Sequence, residues 1–360
     1  MTLGSPVGLV VRDLSKDNDA GRAALALAPR FLTRGFVPRL TAQRLAVEAP
    51  QDMLGPTLDM DTVGAWPFPA SWAAASFDRA ARRRQAKLQV VLTHGFGDLT
   101  AQEVLTLMDG EPDARKTPPW RAALTRRQLS PDGARVVTVP SELMRAWVAE
   151  RGATGARVRL VRPGVDVKEF SPALRGPGRF TLRQSAGWTD DLKIVFAPVL
   201  SAAEHRHLTL VVRAVDRLMA RLPVALCVVG RADFRGDAAA FRLTGRGRLF
   251  QVAATPYVSR YLAAADVVAM PSRFEGFGLT VLEALACGTP SVVSERVGAG
   301  EILSPGVDGE IVRDLKSPDE LAAAIEKAFG FDRAACRKKA EAHSWDAAAD
   351  AFAKIYRELI

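Results

Sequence analysis

Apolar strand-like runs alternate with helical patterns along the whole chain, the rhythm of parallel α/β sheets. "VGLVV" (7–11) predicts a first strand, followed by a helical stretch ending near "RFLTRGF". "LQVVLTHG" (88–95) predicts a buried strand that runs into a glycine loop. "ARVVTVPSELMRAWVAERG" (134–152) predicts a strand, a helix capped by Ser141 and a stop at Gly152. "RVRLVRPGVDVKEF" adds another strand and turn. Pro and Gly then cluster at "SPALRGPGRF" (171–180), which predicts a linker.

Beyond that cluster the rhythm restarts. "LKIVFAPVL" (192–200), "VALCVVG" (224–230), "LFQVAA" (249–254), "DVVAMPS" (266–272) and "PSVVSE" (290–295) predict strands, with a helix over 207–221. "SWDAAADAFAKIYRELI" predicts a terminal helix capped at Ser344. At 360 residues the chain exceeds one ordinary core. The expected architecture is α/β, with two Rossmann-like domains, 1–172 and 173–341, facing each other across a cleft. Open α/β sheets bind ligands at their strand carboxyl ends.

Composition changes this picture little. Cys227, Cys287 and Cys336 are odd in number and widely spaced, which predicts buried free thiols, a reducing cytoplasm and no disulfide framework. "EHRH" (204–207) lacks a second ligand cluster, so no metal site is expected. No apolar run approaches the roughly 20 residues of a membrane span. Net charge is +9; residues 1–172 hold 24 basic and 18 acidic residues, the rest 25 and 22. The excess leans toward the first half and favours an anionic partner there. Basic residues are spread among many acids without a recognised binding motif, which argues against nucleic acid. Neither half carries G-x-G-x-x-G after its first strand, which argues against a dehydrogenase.

The chemistry concentrates in "RFEGFGLTVLEALACGTP" (273–290). A strand, a loop and a helix ended by Gly288 are predicted, with Gly276 and Gly278 allowing a sharp turn and a close ligand approach. The amides of Phe277, Gly278, Leu279 and Thr280 then form a partly positive pocket suited to a phosphate. Glu283 lies one turn into the helix and leans toward its start, where it can accept hydrogen bonds from a ribose diol. Glu275 lies outside the helix and suits a sugar hydroxyl or a developing positive charge at an anomeric carbon. Spacing alone equally permits Glu283 as a solvated helix residue and Glu275 as a favourable charge at the helix start.

"EGFGLTVLE" resembles the E-x7-E motif of GT-B glycosyltransferases of the glycogen-synthase-like, family 4 type. "ADVVAMPSRFEGFGLTVLEALACGTPSVVS", "VTVPSELMRAWV", "VRPGVDVKEFSP" and "VGAGEILSPGVDGEIV" resemble that family's segments in the expected order. The likeness is strong over about residues 134–360 and weak before them. It implies the GT-B fold, a nucleotide-diphosphate sugar donor held mainly by the second domain, no further cofactor and no metal. It also implies that the terminal helix, 342–360, returns to the first domain, the acceptor side. In this family the first glutamate contacts the transferred sugar and the second the ribose.

Departures from the family pattern are plain. Its members usually show Gly-Arg-Leu-Ser after the first strand of the second domain and a lysine several residues on, both cations binding the diphosphate. Here Val199 stands for the arginine and Arg206 for the lysine, with Arg231 and Arg273 as extra candidate cations. His94 matches a histidine often found beside the transferred sugar, and the resemblance implies a polar contact there. Catalytic roles thus fall on Glu275, Arg206 and His94.

The resemblance implies a retaining transfer of a sugar to an acceptor hydroxyl, with front-face departure and attack and with domain closure excluding water. "AWPFPASWAAASFDRAARRRQAK" (65–87) mixes Trp66, Phe68, Trp72 and Phe77 with Arg79, Arg82, Arg83, Arg84 and Lys87. One reading is an anionic membrane surface, a peripheral cytoplasmic location and a lipid-linked or lipopolysaccharide-type glycan acceptor. The other packs the aromatics inside and leaves the arginines solvated. Loss of the arginine at position 199 also supports a catalytically degenerate domain that only binds a nucleotide sugar or glycan.

Overall fold

The computed structural model of the protein describes residues 4–15, 18–46, 59–62, 70–111, 113, 116–199, 207–230, 232–235 and 237–360. The chain divides into two compact units, Met1–Gly164 with Trp345–Ile360, and Val165–Ser344.

The first unit contains β1 (Ser5–Val10), β2 (Asp13–Ser15), α1 (Asp19–Leu32), β3 (Phe36–Ala42), β4 (Arg44–Ala46), β5 (Asp59–Thr62) and α2 (Ala70–Lys87). It continues through β6 (Leu92–Gly95), β7 (Val104–Thr106), α3 (Pro119–Leu129), β8 (Val136–Val139), α4 (Glu142–Ala149) and β9 (Val158–Leu160). Among the described residues its parallel sheet runs β5-β3-β1-β6-β7-β8-β9, with β2 and β4 paired separately. Ser141 accepts a hydrogen bond from the Met144 amide, so α4 starts where its cap residue directs.

The second unit holds α5 (Arg175–Ala186), β10 (Lys193–Val199), α6 (Leu208–Met219), β11 (Val224–Gly230), α7 (Ala238–Gly245) and β12 (Leu249–Val252). After these come α8 (Val258–Ala264), β13 (Val267–Met270), α9 (Leu279–Ala286), β14 (Ser291–Ser294), β15 (Gly309–Val312), α10 (Pro318–Ala328) and α11 (Arg333–Glu341). Its parallel sheet runs β12-β11-β10-β13-β14-β15. Every residue of β11 and β13 is buried, as expected of strands covered on both faces. Cys227, Cys287 and Cys336 are buried thiols, each pushed up to about 12, chiefly by burial.

The expected linker at 171–180 is instead ordered structure. Pro172–Leu174 form a short 3-10 turn that leads directly into α5. Pro177 lies in the first turn of α5, where a missing N–H costs little. Gly178 serves packing: a Cβ there would fall 2.5 Å from the Arg260 carbonyl oxygen. Arg175 and Arg179 both bond the buried Asp266 carboxylate, at 2.7 and 2.9 Å, and the Ile194 amide donates to it at 2.8 Å. Burial would raise that carboxyl's pKa, yet the Ile194 amide and the two arginines outweigh burial and hold it low. The break between units falls at Gly164 and Val165, before this cluster.

α12 (Trp345–Leu359) belongs to the first unit. Phe352 and Tyr356 meet Phe31 of α1 at ring distances of 6.4 and 5.1 Å. Arg34 bonds Asp350 at 2.7 Å and Asp346 at 3.3 Å on the surface, where such pairs add little beside the aromatic burial.

Candidate functional site

In each sheet the chain order reverses beside one central strand pair, β1 and β6 in the first unit, β10 and β13 in the second. Ligands of open α/β sheets settle at the carboxyl ends of such pairs. In the second unit β10 ends and the Glu275 loop begins at this reversal, the loop following β13.

The loop from Arg273 to Gly278 is held by its neighbour, residues 296–299. The Glu275 amide donates to the Arg296 carbonyl at 2.9 Å, and the Gly298 amide donates back to Glu275 at 3.0 Å. The Ala299 amide donates to Phe277 at 2.7 Å. Phe277 itself is fully buried, which anchors the turn. Gly278 then takes φ +93 at the cap of α9, and a Cβ there would lie 2.8 Å from the Met270 methyl carbon. Both conformation and space require glycine at this position.

α9 is buried along its whole length, from Leu279 to Ala286. Leu279 and Thr280 open the helix, and their amides have no acceptor within it. The Thr280 hydroxyl is buried without a hydrogen-bond partner among the described residues. Glu275 and Glu283 are each only 6% exposed. Neither is a solvated surface acid. The Glu275 Cγ lies 3.3 Å from where a Cβ of Gly278 would stand, so this side chain packs directly under the turn.

Arg273 is exposed, and its Nη2 lies 3.5 Å from His207 Nε2. The contact joins the start of α6 to the loop that follows β13. Val199 is an apolar core residue at the end of β10, 3% exposed. Gly276 sits in the loop between Glu275 and Phe277. Arg206 and Arg231 lie outside the described residues, as do Trp66 and Phe68.

A hollow of about 760 Å³ lies beside α6 and α7. Most of its arginines are paired: Arg242 with Asp216, Arg235 with Asp233 and Arg217 with Asp319, while Arg213 has no ion-pair partner among the described residues. Asp237 is committed to capping α7. The Glu275 loop, with its buried acids and open amides, is the better candidate for chemistry.

His94 does not have the expected contact. Its ring is fully buried, with Nδ1 2.6 Å from the Tyr356 hydroxyl and Nε2 2.6 Å from the Thr106 hydroxyl. Thr106 continues to Thr138 at 2.5 Å, and Phe96 stacks on the ring at 4.6 Å. Burial lowers the imidazole pKa to about 3, so the ring is neutral. With both nitrogens occupied by protein, it has none left for a sugar or acceptor. Its function is to tie α12 to the sheet.

α2 divides between the two expectations. Phe77 is fully buried with Val10, Ala81 and Leu99, while Trp72 is 70% exposed. Arg79, Arg82, Arg83 and Lys87 are exposed, recurring along the side of α2 that carries Trp72. No described helix is long and apolar enough to cross a membrane.

A family model described as glycosyl transferases group 1 matches residues 191–330. The D-inositol 3-phosphate glycosyltransferase of Corynebacterium jeikeium is 30% identical over 298 residues, covering 75% of this chain and 67% of that protein. Its counterpart in Mycobacterium avium is 28% identical over 305 residues, covering 80% and 68%. The chain thus spans about two thirds of the length of these curated relatives. WaaG, a glycosyltransferase involved in lipopolysaccharide biosynthesis, superposes with a TM-score of 0.82 at 18% identity, over 97% of this chain and 99% of that one. HepE of Anabaena, in complex with UDP and glucose, gives 0.74 at 18% identity, over 98% and 100%. These structures share the fold.

Proposed function

The chain belongs to the group 1 glycosyl transferases and has the GT-B fold, and from that premise we propose that it moves a sugar from a nucleotide-diphosphate donor to an acceptor hydroxyl with retention at the anomeric carbon. One observation carries the reading. Two buried carboxylates flank a glycine-capped helix start at the chain reversal of the second sheet.

In this reading the second unit is the donor side. The amides of Gly278, Leu279 and Thr280 hold the diphosphate, with Gly276 and Phe277 shaping the approach. Glu283 accepts from the ribose diol. Glu275 lies toward the transferred sugar, where a carboxylate favours positive charge developing at the anomeric carbon. Charge on the departing diphosphate is stabilised by those fixed dipoles and by Arg273, with Arg206 and Arg231 as further cations. Departure and attack share one face, and the leaving phosphate accepts the acceptor's proton. No metal is required, because the helix start and arginines carry the neutralising charge. A HepE structure that contains UDP and glucose supports a nucleotide-sugar donor here.

The first unit is the acceptor side. Trp72, Arg79, Arg82, Arg83 and Lys87 on the exposed side of α2 support an anionic membrane surface and a lipid-linked or lipopolysaccharide-type glycan. The second reading, a nucleotide-sugar-binding domain without turnover, is favoured by Val199 in the core and by the sequestered His94.

Purified protein incubated with labelled UDP-, GDP- and ADP-sugars decides between them. Transfer or slow hydrolysis of one donor with a retained anomer is the expected result. Saturable binding without either reaction selects the second reading, and failure to bind any donor overturns both.

A further inference from the structure

Gln89 and His207 are the described non-glycine residues with positive φ. His207 takes φ 51 and ψ 43 at the cap of α6 and makes no side-chain capping bond. An L side chain is strained in this region. Strain of this kind persists where the surroundings over-determine it, often at ligand clamps. His207 Nδ1 is buried without a partner among the described residues, and Nε2 meets Arg273 at 3.5 Å.

Two arginines act on the His207 ring. Burial first, then Arg273 and Arg213, lower the imidazole pKa. Neither Arg273 nor Arg213 has an ion-pair partner among the described residues, whereas nearby Arg217, Arg235 and Arg242 pair with Asp319, Asp233 and Asp216. The charges that act on the His207 ring thus come from Arg273, in the loop after β13, and from Arg213, on α6. The strand end itself contributes apolar Val199.

We propose that His207 is a donor-binding residue that grips the diphosphate together with Arg273, supplying from the start of α6 a contact that the end of β10 lacks. This rests on the nucleotide-sugar reading above. An anion seated here neutralises Arg273 and Arg213 and lets the imidazole hold a proton, so both ring nitrogens can donate. The strained backbone keeps the ring beside Arg273 rather than letting it turn away to cap its own helix.

The test opposes stability to binding. Glycine adopts the left-handed region without strain, so His207→Gly is expected to leave Tm unchanged or raised. The same variant is expected to bind UDP, GDP or ADP, whichever the wild type prefers, about tenfold more weakly by calorimetry, the size of one hydrogen bond to a charged group. Binding of the matching nucleoside stays the same. His207→Asn, which also tolerates this backbone, serves if the glycine variant misfolds, and is expected to fall between the two.

Unchanged diphosphate affinity in a folded His207→Gly protein overturns this inference alone. So does an equal loss for nucleoside and diphosphate, which marks a purely structural residue. A wild-type protein that binds none of the three diphosphates overturns the donor reading and this inference together.

Discussion

His94 and His207 stand beside the chain reversals of two parallel sheets, yet the fold treats them oppositely. His94 is enclosed, its two nitrogens shared with Tyr356 and Thr106. His207 is strained, half-buried and acted on by Arg273 and Arg213. The lesson is that topological position alone does not make a site. A polar group whose hydrogen bonds are completed within the fold serves structure. A polar group kept short of partners at the strand ends is available to a ligand.

The strongest way to break this contrast is through pH. Folded His94 stays neutral down to about pH 3, while an unfolded chain protonates the same ring below about 6.5. The unfolded state therefore binds more protons between those values, so stability is complete above 6.5 and falls as pH drops toward 3. The expected loss is several kcal/mol across the window. Denaturant unfolding of wild type against His94→Gln checks it, read between pH 6.5 and about 5, before most carboxylates titrate. Equal slopes in the two proteins would show that His94 is not the group responsible.

Glu275→Gln comes next and bears on the second sheet. Transfer is expected to slow about a hundredfold or more, comparable with loss of one electrostatic stabiliser, while nucleotide affinity changes little. Glu283→Ala is expected to show the reverse split, with nucleoside diphosphate binding weakened about 10- to 100-fold, as for hydrogen bonds to a charged group. Matching wild-type kinetics and binding in both variants would reduce these acids to structural residues.

The smallest effect sharpens the first sheet. Tyr356→Phe leaves His94 Nδ1 buried without its hydroxyl partner, which costs about 1–3 kcal/mol. Thermal unfolding should register this loss while donor affinity stays at the wild-type value. A changed donor affinity with unaltered stability would place His94 back at the ligand.

The alternating apolar pattern, the Ser141 cap and the glutamate pair at 275 and 283 are all local features, legible because strand period, cap chemistry and helix spacing act over a few residues. Short strands such as β5 and β7 carry too few positions for a period to show. The Pro-Gly cluster at 171–180 was misleading for a physical reason. Gly178 and Pro177 read as breakers, yet one permits close packing against Arg260 and the other occupies a first helical turn. No local rule encodes the Arg175 and Arg179 bonds to Asp266, about 90 residues away in sequence.

Sequence by itself determined the α/β class, the glycine-capped turn and the acids on either side of it, since these depend on backbone freedom and short-range geometry. Only the tertiary structure decided which polar groups remain open. His94 is closed by Tyr356, 262 positions later in the chain, and His207 meets Arg273 across 66 positions. Hydrogen-bond completion and charge balance depend on partners brought together by folding, and that is where the two histidines part.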